Sequence, residues 1–520
     1  MRAALAVGAA AVLGCCALLR YRRQRRRAAS LRDAIEPLSA VSASDDAGPP
    51  AAEKLLALLA GTSPELDLAE IAAALDAADP LVSLRGQFHI PPGEAYFAGN
   101  SLGLEPKGTS TLVRTELDKW AGRGVMGHFE GELPWATCED ALPRLLAPLV
   151  GADDAELEVG AMNSLTVNLH LLMAAFYRPS AGRAAILIEA GAFPSDRYAV
   201  GSQIAHHGFD PTAEMIEVAP RASDGLLHTA DILATIDAHR ERLALVLLGG
   251  VNYLTGQVLD MGALAQHMAS LNDAARATKR PPIPFGLDLA HAIGNVPLRL
   301  HAWRVDFAAW CSYKYLNSGA GCLAGLFVHA DHADDSATYP RLSGWWSVPF
   351  AKRFEMAHAY DEARGARAFG VSNVNPLMVA CVLASLRVFE AAGGIAPLRA
   401  KSRLLTGFLE ALLRHRGLLV EDGAAPRVPP GRKAVLQLVT PHAPQRRGCQ
   451  LSLRVCPGEA GGQGASSAFT MRALEQALRD RGTVGDAREP DILRISPAPL
   501  YNSFGDVLRA VDALESALAV

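Results

Sequence analysis

Along the middle of the chain, short unbroken apolar runs alternate with segments whose apolar residues return every three or four positions. The runs at 184–189, 243–249, 284–289, 305–310 and 325–329 read as strands, and segments such as 230–239 and 261–277 between them read as helices. Strands that are apolar on both faces predict a mainly parallel sheet covered by helices on both sides, an α/β fold. In such sheets ligands bind beyond the carboxyl ends of the strands. The polar residues just past each run, at 193–196, 252–255, 288–291 and 312–317, are therefore the candidates for chemistry.

Beyond about residue 375 the texture changes. Helical patterns at 377–392 and 396–415 precede strand-like stretches at 434–439 and 450–455, then a helix at 470–481 and a strand at 491–496. This segregation predicts a smaller α+β C-terminal domain over 376–520. Pro- and Gly-rich stretches at 424–431 and 457–465 read as surface insertions. Upstream, 53–375 would form an N-terminal segment and the large domain, with helical spacing at 52–59 and 66–78. Residues 33–52 form a linker. No repeat of 20–50 residues is present, which excludes solenoids and propellers.

The first 32 residues stand apart. A 17-residue apolar run, 3–19, is followed at once by Arg20, Arg22, Arg23, Arg25, Arg26 and Arg27. The run is near the lower limit for a membrane-spanning helix, and charge placed after it would hold a catalytic body on the cytoplasmic side. The same stretch is Arg-rich and acid-free, as organelle-import peptides are. Anchor, import signal and plain leader all remain open readings, with Cys15 and Cys16 offering acylation sites.

Charge sharpens the picture. The 520 residues carry a formal net charge of −4, but the first 32 hold eight Arg and no acid. The remainder therefore has 42 basic against 54 acidic residues, a balance that argues against nucleic acid as a partner. Half the residues are hydrophobic, enough for a large core and too many for a disordered chain. Eight scattered cysteines with no C-x-x-C pair give no zinc or dithiol redox motif, and reduced thiols are expected.

The most informative stretch is FGLDLAHAIGNVPLRLHAWRVDFAAWCSYKYLNSGAGCLAG, residues 285–325. Asp288 ends one strand, His291 follows three positions later, and Lys314 comes after the next strand between Tyr313 and Tyr315. A lysine in apolar and aromatic company is expected to have a depressed pKa, as a Schiff-base nucleophile needs. A carboxylate at a strand end can pair with a protonated pyridine nitrogen. Together these are the minimal parts of a pyridoxal phosphate (PLP) site. The plainer alternative is a solvated lysine beside a turn with a core histidine.

At this point the residues resemble a known family, kynureninase, a PLP enzyme of fold type I. The resemblance extends over YFAGNSLGLEP (96–106), GHFEGELPW (127–135), MNSLTVNLHLLM (162–173), FPSD (193–196), the 285–325 block, GWW (344–346), SNVNP (372–376) and ISPAPLYNSF (495–504). It covers roughly residues 80–515, in the family's order. It implies that Lys314 carries the cofactor, that Asp288 holds the pyridine nitrogen cationic, and that Asp196 lies close by. Phe193, with Pro194 and Ser195, would line the ring. Leu165 and Thr166 would meet the phosphate at a helix N-terminus, with Tyr313 also touching it and His291 at the cofactor edge. Trp345 and Asn373 would come from a loop, across a homodimer interface with shared active sites. Ser101 and His128 would contact the substrate ring, and Arg494 would grip the substrate carboxylate. Competing plain roles are core packing for Trp345, a loop histidine for His128 and a turn for Ser101. Gly249 stands where some family members have a serine, and Tyr253, Leu254 and Trp346 depart from commoner forms. The helix-forming residues 355–368 also match poorly.

The resemblance implies hydrolysis of L-kynurenine, or its 3-hydroxy form, to anthranilate (or 3-hydroxyanthranilate) and L-alanine. Competing readings are a class V aminotransferase or cysteine desulfurase, which share the Asp–His–Lys layout, and a tethered pseudoenzyme acting as a scaffold. A desulfurase needs a mobile cysteine, and none of the body cysteines sits in an obviously suitable loop.

Overall fold

A computed structural model describes residues 68–421, 423–458 and 469–520. The leader, the linker, the helical spacing at 52–59 and most of the 457–465 insertion lie outside the described residues. In chain order, α1 (Leu68–Ala78) precedes the short β1 (Ala95–Tyr96), then α2 (Gly108–Arg123), β2 (Val159–Ala161) and α3 (Leu165–Phe176). Next come β3 (Ala185–Glu189), α4 (Pro194–His206), β4 (Met215–Val218), α5 (Thr229–His239) and β5 (Leu243–Gly249). The large sheet is completed around α6 (Met261–Ala277) by β6 (Phe285–Asp288), β7 (Phe307–Trp310) and β8 (Gly325–Val328).

The strand order is β2-β8-β7-β6-β5-β3-β4. Strands β4, β3, β5, β6 and β7 run parallel, whereas β8 is antiparallel to both β7 and β2. All residues of β3 and β7 are buried, as is β5 up to its last residue. That is the covering on both faces which their unbroken apolar runs require. Five parallel strands therefore deliver their carboxyl ends, and the polar loops that follow, to one edge.

The chain continues through α7 (Pro376–Ala391) and α8 (Ile395–His415) into β9 (Ala434–Leu438) and β10 (Leu451–Pro457). It then forms α9 (Met471–Arg479), β11 (Thr483–Val484), β12 (Asp486–Arg488), β13 (Ile492–Ile495) and α10 (Phe504–Leu518). An antiparallel sheet of order β12-β13-β10-β9 forms here, while β1 pairs with β11. Its core is a separate buried cluster in which Leu405, Leu409, Leu453, Leu493 and Leu514 meet Ile71, Leu75 and Phe97 from far upstream.

Two differences from the sequence pattern have local causes. Residues 355–368 form no α-helix; Gly365 takes φ +60 where a Cβ would strike the Leu157 carbonyl, and Tyr360 bonds the Ser347 hydroxyl, which pins the segment to its neighbours. Among the described residues, no single helix is long and apolar enough to cross a membrane. The pair α7 and α8 passes on composition only, and it is bent by 78° at its break.

Candidate active site at the carboxyl edge of the large sheet

Each candidate side chain is placed by the strand that precedes it. Gly249 and Asp288 stand in register as the last residues of β5 and β6, and Glu189 ends the adjoining β3. Asp288 Oδ1 accepts the Ala290 N–H at 2.7 Å, which fixes its carboxylate at the strand end. Asp196 comes to the same place from the first turn of α4, a helix opened by Pro194 at its first position.

Lys314 lies past β7. Its Nζ is 5.8 Å from the centroid of the Phe193 ring and 5.9 Å from that of Tyr313. It makes no hydrogen bond or ion pair among the described residues, so its amine is uncommitted. The Phe193 ring is in turn 5.2 Å from the Tyr253 ring. Burial and the neighbouring charges of Lys314, Arg494 and Arg488 hold the His291 imidazole well below its usual pKa, and the ring is neutral. Its Nδ1 is buried and has no partner.

Three carboxyl groups crowd this edge. Burial, then the Asp288 charge, pushes Asp196 well above the usual carboxylate range, and Lys314 opposes the shift. Although Asp196 as a residue keeps some solvent contact, its carboxyl sits in dense protein. Glu189 is 7% exposed and, mainly through burial, is pushed up to about 7. Its oxygens accept the Gly249 N–H at 3.1 and 3.3 Å. A Cβ on Gly249 would lie 2.8 Å from Glu189 Oε1, so the missing side chain at 249 is what admits this carboxyl.

The linkage has a definite sign. A carboxyl whose pKa is 4.5 when unfolded and about 7 when folded holds its proton better in the native state. Stability is therefore full at low pH and falls as pH rises through that window. Relative to Glu189→Gln, the natural protein should lose on the order of 3 kcal/mol between about pH 5 and about pH 8 in urea unfolding. Parallel profiles for the two proteins would show that Glu189 is ionised throughout.

The phosphate candidates meet at two helix starts. Ser164 caps α3 without a side-chain bond, which leaves its first N–H groups, at Leu165 and Thr166, free of a side-chain cap. The hydroxyls of Thr166 and Ser195 lie 2.9 Å apart and tie the start of α3 to that of α4. An uncommitted amine, an orphaned buried imidazole nitrogen, a pair of carboxyl groups at the strand ends and an uncapped helix start together fit a phosphorylated pyridine aldehyde.

Arg494, on β13, is 1% exposed. Its Nη1 donates to the Tyr253 carbonyl at 2.7 Å, and its Nη2 donates to Ser101 Oγ at 2.9 Å and to the Asp486 carboxylate. The chain thus brings Ser101 to the arginine. The other candidates stand elsewhere. His128 packs its ring 5.4 Å from that of Trp135 and bonds the Val125 carbonyl. Trp345 donates to the Arg353 carbonyl and touches Phe354, which touches Phe129. Asn373 is exposed, next to Ser372. None of their hydrogen bonds or ring contacts reaches Lys314 within the chain.

Sequence reasoning missed three contributors, Glu189, Asp486 and Arg488; the 252–255 candidate loop does contribute, through the Tyr253 carbonyl. Glu189 closes an apolar run and was visible only as a charge at a strand end. Asp486 and Arg488 share one face of a strand by their spacing of two, which was the available signal.

Comparison with known proteins bears on this site. Residues 398–514 match the family model for the kynureninase C-terminal domain. A kynureninase of Xanthomonas campestris pv. campestris (strain 8004) is 48% identical over 449 residues, covering 86% of this chain and 97% of that protein. One of Stenotrophomonas maltophilia (strain K279a) is 47% identical with the same coverage. Among solved structures, a mutant of C-DES with glycine covalently linked to its PLP cofactor has a TM-score of 0.62 at 18% identity, over 83% of this chain and 98% of that one. The cysteine desulfurase CsdA of Escherichia coli also scores 0.62, at 17% identity, over 84% and 98%. These two likenesses carry the fold, PLP fold type I. Among the described residues Cys138, Cys311, Cys322 and Cys449 are buried, and Cys381 and Cys456 are half-buried. Near-complete coverage of relatives close to half identical settles the remaining choice: the chain belongs to the kynureninase family.

Proposed function

We propose that this protein is a PLP-dependent hydrolase that cleaves L-kynurenine, and its 3-hydroxy form, to anthranilate or 3-hydroxyanthranilate and L-alanine, a step of tryptophan degradation. The observation that carries the reading is the uncommitted Lys314 amine beside the Phe193 ring, its charge felt by Asp196, with Lys314 and the buried Arg494 guanidinium both acting on His291.

The cofactor would be held by Lys314, by the starts of α3 and α4 (Leu165, Thr166, Ser195), by Phe193 and His291, and by Asp196 with Asp288. When bound it supplies an electron sink next to the substrate's α-carbon. Arg494 takes the substrate carboxylate in a planar, forked grip, and so turns the α-hydrogen toward Lys314. The Lys314 Nζ, which has no hydrogen-bond or ion-pair partner among the described residues, would be the base that accepts that proton. Neutral His291 would add no positive charge where the cofactor's ring is held. The Tyr313 hydroxyl, held protonated by burial, donates toward developing negative charge.

The protein acts as a homodimer with shared sites. Phe129, Trp345, Phe350 and Phe354 form an exposed aromatic cluster joined ring to ring, and Trp345 is half exposed. A patch of that kind is uncommon on a monomer. Docked against a second copy, it would bring Trp345, Asn373 and His128 toward the other copy's Lys314. Size-exclusion fractions of the holoenzyme, each assayed with L-kynurenine for anthranilate fluorescence and alanine, test both parts. Activity should follow a species of about twice 55.0 kDa. Absence of anthranilate from every fraction would sink the reaction, and activity confined to the single-chain fraction would sink the shared site.

A further inference from the structure

The small sheet carries a charge arrangement that the reaction as derived does not use. Asp486 stands directly across the β12–β13 ladder from Arg494, and Arg488 lies two residues further along the same strand. The Asp486 carboxylate accepts from Arg494 Nη2, from the Ser101 hydroxyl, and from Arg488 Nη2 at 3.2 Å. Arg488 Nη2 also reaches Ser101 Oγ at 3.2 Å. Two guanidinium groups thus share one carboxylate, leaving one positive charge over. The Nε–H groups of both Arg488 and Arg494 are buried and have no acceptor. Arg494 is buried while the Arg488 side chain is 40% exposed, so the spare charge faces the opening of the receptor. Orphaned donors are costly, and one further carboxylate would answer both the charge and the donors.

We infer that Asp486 is a specificity-determining residue: it sets the charge of the substrate-carboxylate receptor so that Arg488 and Arg494 accept one carboxylate and turn away a ligand carrying two. This rests on the reading of Arg494 as the residue that grips the substrate carboxylate. Arg488 becomes the second cation of the receptor. Ser101 belongs to its carboxylate end rather than to the ring end that the family resemblance suggested. A second carboxylate on the same carbon would meet Asp486 at close range with no cation left to answer it. Were Asp486 only a brace for Arg494, its loss would weaken the grip on one carboxylate and on two alike.

Calorimetric titration of the holoenzyme with two probes separates these. The probes are 3-benzoylpropanoate, with one carboxylate, and phenacylmalonate, the same skeleton with a second carboxylate on the carbon that bears the first. The natural protein should prefer the monocarboxylate by at least about tenfold, Asp486→Asn should shift the ratio toward the dicarboxylate by about tenfold or more, and Asp486→Glu should keep the natural preference. An unchanged ratio in Asp486→Asn overturns the inference, as does failure of the monocarboxylate to bind the natural protein; a dicarboxylate that binds only Asp486→Asn counts as the shift. Arg488→Gln gives an independent check, with monocarboxylate affinity expected to drop about tenfold and an unchanged affinity counting against the receptor. A protein that releases no anthranilate yet shows the shifted ratio keeps the receptor and loses the reaction. One that turns over kynurenine with an unshifted ratio loses the receptor alone.

Discussion

Lys314→Ala should abolish kynurenine turnover, with a loss of at least about 10⁴-fold, and should remove the visible absorbance band of the holoenzyme. The size of the effect follows from the surroundings of the amine. Lys314 makes no ion pair or hydrogen bond among the described residues, so its nitrogen is free for covalent chemistry and for proton transfer, and both roles fall to one atom. Among the described residues, Lys119, Lys352 and Lys401 are committed to Glu116, Asp361 and Asp79 and so offer no substitute amine. Because the amine braces nothing, the variant should keep its fold, with a melting temperature within a few degrees of the natural protein. That separation makes the result decisive. Turnover within about tenfold of the natural rate would remove Lys314 from the reaction, and loss of turnover together with loss of fold would leave its covalent role without support.

The large sheet was legible because its central strands are covered on both faces, so each appears as an unbroken apolar run. Strand β4, residues 215–218, is only partly buried, and β2 has three residues, so neither produces such a run. The reversed direction of β8 leaves no trace in composition either, since a buried strand is apolar whichever way it runs. Direction is set by the connection, and no helix long enough for a parallel crossover stands between β7 and β8. The same division holds at the site. Asp288, His291 and Lys314 follow consecutive strands β6 and β7, and sequence spacing therefore maps onto distance in space. The pairing of Asp486 with Arg494 depends on the register of two antiparallel strands, and the approach of Ser101 crosses nearly 400 positions. Neither is encoded by spacing. Glu189 went unnoticed for a third reason: only a neighbour without a side chain, Gly249, makes room for it.

Arg494→Lys should cost on the order of 3 kcal/mol in transition-state binding, about a hundredfold in kcat/KM for kynurenine. Charge is conserved in this exchange, so the loss tests geometry. The guanidinium makes three bonds at once, to the Tyr253 carbonyl, the Ser101 hydroxyl and Asp486, from two nitrogens fixed in one plane. An ammonium on a flexible stem cannot reproduce that fork, and it offers no planar pair of donors to a carboxylate. Burial raises the stakes. At 1% exposure, water cannot fill in for the bonds that lysine leaves unmade, although the Tyr253 carbonyl keeps Gln450 and the Ser101 hydroxyl keeps Asp486 and Arg488 as partners. The effect should divide unevenly. If Arg494 holds the carboxylate from first binding onward, KM rises and kcat falls by less; if its grip matters chiefly for turning the α-hydrogen to Lys314, kcat carries the loss. Steady-state rates of anthranilate release, measured over a range of kynurenine concentrations, distinguish the two. A change of less than about threefold in kcat/KM would mean that the substrate carboxylate is bound elsewhere, leaving Arg494 as a structural partner of Asp486.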